Sequence, residues 1–382
     1  MARLGDIGKI VTGNTPKTSE SQNYTSNDIC FVKPSDIADG IVTCLNDSEF
    51  YISEYARAKA RILPPKSVLV TCIGIIGKVA INDVECAFNQ QINAIIPDNS
   101  KCLTEYLAYA IQNKQPEMQD VANAPVVPIL NKTQFSDIEI NLPSLTEQEE
   151  IVGKLNAVSR LIALRKAQLA KLDQLVKSRF IELFGDNNYP SEPLDNNVVE
   201  MFIGPFGSSL KNEVFVDEEN GFCMVYEQKH AIQKTMNVPT RYVPKSKYEE
   251  LKRFTILGGD IIVSCRGTIG EIFIVPDNAP MGIMHPSIMK IRLNTEKYNQ
   301  KFFVFALEQY MDEHNAEAKG SGVKMAVSAT VLGQSDFVVP PMEVQNQFAA
   351  FVEQTDKSKL AIQHSIDKLE LLKKSLMQEY FG

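Results

Sequence analysis

The chain holds only four histidines in 382 residues, with no H-E-x-x-H among them. Its seven cysteines, at 30, 44, 72, 86, 102, 223 and 265, never form C-x-x-C. These absences speak against a structural zinc site, and an odd, scattered set of cysteines suits reduced thiols in a cytosol. No apolar run reaches the roughly 18 residues of a membrane span, and the N-terminus lacks a charged-then-apolar leader. The expectation is a cytoplasmic protein without a membrane partner. Nucleotide motifs are missing as well. "GIIGKV" (74–79) has neither the upstream spacing nor the Ser/Thr of a phosphate-binding loop, and no G-x-G-x-x-G opens a helix. No D/N-P-P-Y/F adenine-methylation motif occurs. The chain is therefore expected to carry no catalytic residues, no metal and no cofactor of its own. A net charge of −8 and a pI near 5.3 place no global positive field on it, so any nucleic-acid contact needs local positive charge or partners.

What the chain does have is a repeat. Its length favours two or more domains, and self-similarity shows how they are arranged. "LPSLTEQEEIVGKL" (142–155) is echoed by "VPPMEVQNQFAAFV" (339–352). Pro143 falls on Pro340 and Gln148 on Gln345, and the shift of 197 residues holds without a gap from 143–185 to 340–382. Both copies end alike, in "ELFG" and "EYFG". Upstream, "VLVTCIGIIG" (68–77) answers "IIVSCRGTIG" (261–270), "VTGNTPKT" (11–18) answers "FIGPFGSS" (202–209), and "CFVKPSDI" (30–37) answers "MVYEQKHAI" (224–232).

The upstream halves are β-rich, with β-branched runs punctuated by glycine, and short helices are predicted at 103–113 and 297–312. Gly74, Gly77, Gly267 and Gly270 read as strand bulges or tight turns. The repeated segments are helical. Residues 146–184 contain no proline and one glycine, Gly153, and Ser144 is a capping-type residue. Leu155, Ile162, Leu169 and Val176 recur every seventh residue, and Phe348, Ile362, Leu369 and Leu376 form the second series. Sustained heptads argue for a seam between long helices. About 39 residues at 1.5 Å each make a rod of roughly 58 Å. Two helices of equal length in one chain most simply pair antiparallel, each seam serving the other. The predicted fold is α+β: two β-rich α/β domains separated by a long antiparallel two-helix coiled coil, with an internal pseudo-twofold repeat.

In this order, and duplicated, these segments resemble the specificity (S) subunits of type I restriction–modification enzymes over essentially the whole chain. The resemblance rests on the two helix starts, "IIVSCRGTIG", "IGPFGSSL" (203–210) and "VYEQKHAI" (225–232). It implies two target recognition domains, 1–141 and 187–338, each followed by a conserved coiled-coil helix, 142–186 and 339–382. It also implies double-stranded DNA with a bipartite target as ligand, two methyltransferase (M) subunits docked on the helices, and restriction (R) subunits. S-adenosylmethionine, ATP and Mg2+ are then used by those partners. One departure is plain: the first domain has Ile73 where the second has Arg266.

Base edges are read by Arg, Lys, Asn, Gln, Ser and Thr, while phosphate contacts hold register. The candidates in the first domain are Asn14, Thr15, Lys17 and Thr18 in "TGNTPKTS", with Lys33 and Ser35 in "KPSD". In the second they are Ser208, Ser209 and Lys211, then Gln228, Lys229 and His230, and Arg266. Between 154 and 179 the first repeated helix carries Lys154, Arg160, Arg165, Lys166, Lys171, Lys177 and Arg179 against the single acid Asp173. That face is open to two readings: it lines DNA between half-sites, or it meets acidic partner surfaces. A competing reading of the whole chain, favoured by the acidic pI, is a coiled-coil interaction scaffold without DNA specificity.

Overall fold

The computed structural model describes residues 1–122, 127–185, 189–266, 268–321 and 328–382, without the side chains of 314–321. Gly267 and the expected domain boundary at 186/187 lie outside the described residues. The architecture is α+β, and the chain divides into two compact units. One comprises Met1–Gln168 with Ile362–Gly382, the other Leu169–Ala361, so the division falls inside both long helices.

In the first unit a five-stranded sheet has the order Gly8–Thr12, Ile92–Pro97, Val68–Thr71, Val79–Asn82, Val42–Leu45. A four-stranded sheet has the order Tyr51–Ile52, Ile29–Val32, Cys86–Phe88, Ile62–Leu63, and its two middle strands pair parallel. The second unit repeats the plan. One sheet runs Val198–Ile203, Ile288–Leu293, Ile261–Ser264, Ile272–Ile274, and the other runs Tyr242–Val243, Cys223–Tyr226, Gly282–Met284, Thr255–Ile256. The strands Cys223–Tyr226 and Gly282–Met284 again pair parallel. The β-branched runs Val68–Thr71 and Ile261–Ser264 are buried throughout, as expected of central strands flanked on both sides.

The glycines of the two echoed segments turn hairpins. Gly77 N–H donates to Thr71 O and Gly270 N–H to Ser264 O, both at 2.9 Å. Gly74, Gly77 and Gly270 have φ of 80°, 85° and 88°, a region that L side chains rarely adopt. No helix begins there, so these loops lack the helix N-terminus that a phosphate cradle uses.

The short helices predicted after the sheets are present as Thr104–Asn113 and Gln300–Ser321, the second longer than expected. The long helices span Leu145–Phe184 and Met342–Phe381, 40 residues each. A capping box starts the first: Ser144 N–H donates to Glu147 Oε2 at 2.9 Å and Glu147 N–H to Ser144 Oγ at 3.3 Å. Within each unit the long helices run antiparallel. In the first unit Lys154 meets Tyr380 and Lys166 meets Glu370. In the second, Lys359 pairs with Asp173 at 2.6 Å, and Phe180 and Phe184 pack on Phe348. Leu155, Val176, Phe348 and Ile362 are buried, while Ile162, Leu169, Leu376 and the second helix's Leu369 are partly buried. Ile366, outside the expected series, is buried more deeply than any of these except Leu155 and Phe348.

The glutamine common to both helix starts has a physical reason. Gln148 and Gln345 are each fully buried. Gln345 Oε1 accepts from Asn299 N–H at 2.8 Å, and its amide donates to Lys297 O and Pro340 O. Gln148 makes the equivalent bonds with Leu103 N–H, Lys101 O and Pro143 O. Each glutamine thus ties the start of a long helix to the start of the shorter helix of its own domain.

Candidate nucleic-acid interface

In both units the same backbone frame gathers three chain segments. The first follows the opening sheet strand at Gly13 or Gly204. Gly13 N–H donates to Ile92 O, and Gly204 N–H donates to Ile288 O. Neither glycine leaves room for a Cβ, which would lie 2.1 Å from Asn89 O or 2.3 Å from His285 O. The second segment is the turn that leads into the strand beginning at Ile92 or Ile288. Asn89 N–H reaches Val32 O, and His285 N–H reaches Tyr226 O. Cys72 and Cys265 N–H close the frame on Gln91 O and Ser287 O, at 2.7 and 2.8 Å. The third segment follows the parallel strand, at Lys33–Asp36 or Glu227–His230. It is capped alike in the two copies: Lys33 N–H donates to Asp36 Oδ2 and Glu227 N–H to His230 Nδ1.

On this frame the first unit carries a polar tip. Thr15 donates to Gln90 Oε1 at 2.7 Å, and Lys17, Thr18 and Ser35 are exposed. Asn14 is engaged within the domain, its amide bonding Lys59 O and Arg61 N–H at 2.8 Å each. Lys33 lies 3.1 Å from the centre of the Phe50 ring, a cation–π contact. Arg61, which sequence reasoning passed over, is exposed beside Asn14 and donates to Thr12 O.

The second unit carries a basic tip. Ser208, Lys211 and Arg266 are exposed, and Ser209 is half-buried. Gln228, Lys229 and His230 are not in a loop. They form the first turn of the helix Gln228–Gln233, so only part of the segment can face outward. His230 is 0% exposed, and is a core residue. Its Nδ1 lies 3.0 Å from Glu227 N and 3.1 Å from Glu227 O, and its Nε2 has no partner among the described residues. Burial pushes the His230 pKa below the ordinary histidine value. Glu227 is buried, which raises its pKa, but Lys229 at 2.7 Å and the Arg241 guanidinium outweigh this and hold it below the usual carboxylate range. His285 is pushed down by burial and by the charges of Arg241, Arg266 and Lys229, against the opposing field of Glu227. Arg241 and His285 were not among the sequence candidates. For His285 the signal was available, because "AFNQQINAII" (87–96) and "IMHPSIMKI" (283–291) carry the repeat on at a shift of 196.

Two frames of this kind, one in each unit, make a duplicated α+β module. Among the described residues no group of three or more His, Cys, Asp or Glu could hold a metal ion, and no helix is long and apolar enough to cross a membrane. The family model for the type I restriction modification DNA specificity domain matches residues 1–174 and 212–371, and the chain belongs to that family. It is similar to the type I restriction enzyme MjaIX specificity subunit of Methanocaldococcus jannaschii, with 30% identity over 198 residues, 51% of this chain and 44% of that one. It is also similar to the HindI specificity subunit of Haemophilus influenzae, with 33% identity over 147 residues, 38% of this chain and 32% of that one. The matched stretches thus span less than half the length of either relative. In fold it resembles a type I restriction–modification S subunit from M. genitalium, with TM-score 0.55 and 13% identity, covering 100% of this chain and 95% of that one.

Proposed function

We propose that this chain is the DNA-recognition and scaffold subunit of a type I restriction–modification complex, each unit reading one half of a bipartite double-stranded target. The observation that carries this is the duplicated frame: one set of backbone hydrogen bonds holds two differently furnished polar tips. Two tips of unlike chemistry suit two unlike half-sites. On this reading Thr15, Lys17 and Thr18 face one half-site, and Ser208, Lys211 and Arg266 the other. The chain itself is non-catalytic and cytoplasmic. S-adenosylmethionine, ATP and Mg2+ are used by methyltransferase and restriction subunits.

The long helices dock the two methyltransferase subunits. Supporting this, Leu161, Leu164, Leu371 and Leu372 are exposed on them and offer apolar surface to a partner. The helices also set the half-site spacing. A rod of roughly 58 Å equals about 17 base pairs at 3.4 Å each. Each domain covers several pairs itself, so the unread gap is on the order of one helical turn or less.

The test is retention on DNA by the chain reconstituted with methyltransferase subunits. Sequence-specific retention that falls steeply with salt supports the reading. Retention indifferent to sequence leaves the interaction scaffold as the better account. Methyl transfer by this chain alone overturns the non-catalytic assignment.

A further inference from the structure

Phe206 is 87% exposed, more than any other large apolar side chain among the described residues. It stands on a braced turn. Pro205 before it is buried, and Gly204 is locked against His285 O. Phe206 O accepts from Ser209 N–H at 2.9 Å. Covering such a ring on binding is favourable, at about 25 cal/mol per Å² of apolar surface removed from water. Its neighbours say what kind of surface that is. Gly204 abuts His285, and the charges acting on His285 are Arg266 together with Glu227, Arg241 and Lys229, the last two paired with Glu227. Ser208 and Lys211 follow on the same turn, both exposed. The ring therefore shares its unit's tip with exposed Ser208, Lys211 and Arg266, groups that suit a surface meeting phosphates and base edges. The repeat places Thr15 at the same position in the first unit, where the hydroxyl is tied to Gln90. The apolar probe belongs to the second unit.

The only apolar group that a base pair presents in the major groove is the thymine 5-methyl, and an aromatic ring can cover it without breaking base stacking. A wedge between bases would instead cost a few kcal/mol of unstacking. We propose that Phe206 reads a thymine methyl group in the half-site recognised by the second unit. This rests on the DNA-recognition function proposed above.

The experiment uses the chain reconstituted with methyltransferase subunits and a target found by methylation mapping. Each thymine of the second unit's half-site is replaced in turn by uracil, which removes only the methyl group. One replacement should weaken binding by about fourfold, the worth of one buried methyl. Phe206→Ala should bind the thymine and uracil targets equally, while Phe206→Leu should keep part of the preference. A half-site of G·C pairs alone, uracil replacements without effect on the native chain, or an undiminished uracil effect in Phe206→Ala each overturn the proposal while leaving specific binding intact. Loss of sequence preference in the native chain itself would instead strike the parent reading.

Discussion

Replacing Gln345 by Met keeps roughly the volume and removes every polar atom from the start of the second long helix. Three hydrogen bonds of 2.7–2.8 Å disappear, leaving the Asn299 amide and the Lys297 and Pro340 carbonyls without that partner. At about 1 kcal/mol net per bond, with an orphaned buried donor at the upper end, the loss is about 2–4 kcal/mol. With a urea dependence of about 2–3 kcal/mol per molar for a unit of this size, the midpoint should fall by about 1 M. Because two units need not unfold together, the local readout matters. Hydrogen exchange at the Asn299 amide should accelerate in Gln345→Met and stay unchanged in Gln148→Met, which should instead release the Leu103 amide. Gln345→Glu adds a sign test. Its second oxygen faces two carbonyls, so the protonated form is favoured and the folded pKa is raised. The stability of this variant should then be greatest in acid and fall as pH rises above the unfolded glutamate value of about 4.3. A midpoint shift below about 0.2 M, with Asn299 exchange unaltered, would refute the idea that the buried amide anchors the helix.

His230 and His285 both have pKa values lowered by burial, so the unfolded chain binds more protons below the ordinary value of 6.5. The stability of the second unit should therefore be fully present above that pH and decline as pH falls beneath it, measurable by urea titration from pH 7.5 to 5. Thr15→Ala or Lys17→Ala should weaken recognition of one half-site only, and Ser208→Ala or Arg266→Ala the other. A lost base-edge contact costs about 1–3 kcal/mol, and binding to targets altered in each half reads the division. Matched seven-residue insertions after Leu169 and Ile366 preserve the heptads of both helices, and should preserve both half-sites while changing their spacing in methylation mapping.

The long helices were legible because the signal was redundant. Heptads, a proline-free stretch, a capping serine and a gapless repeat all pointed to spans that the structure draws at Leu145–Phe184 and Met342–Phe381. The turn glycines were legible because only a tight turn needs positive φ between two β-branched runs. The second sheet of each unit was not legible. Strands of two residues, such as Ile62–Leu63 and Tyr242–Val243, have no period to read, and their pairing is decided by distant segments. Individual tip residues were hardest. Asn14 and His230 are polar residues beside glycine or after a strand, and sequence does not say whether such a side chain faces out or closes a local hydrogen bond. In this protein both close one.

The two copies agree where the backbone is constrained and differ where it is not. Gly13 and Gly204 match because a Cβ would strike a carbonyl oxygen at either place. Gln148 and Gln345 match because each fully buried amide satisfies three backbone groups. Set against these are Thr15 and Phe206, both exposed, and Ile73 and Arg266, half-buried and exposed, at matching places on the same frame. Exposed substitutions there cost the fold little, whereas changes to the frame cost it several kcal/mol. A recognition surface built this way can change what it reads without endangering how it folds. On the proposed reading that freedom suits two half-sites of different sequence, and it lets the apolar Ile73 and the cationic Arg266 occupy matching turns in one chain.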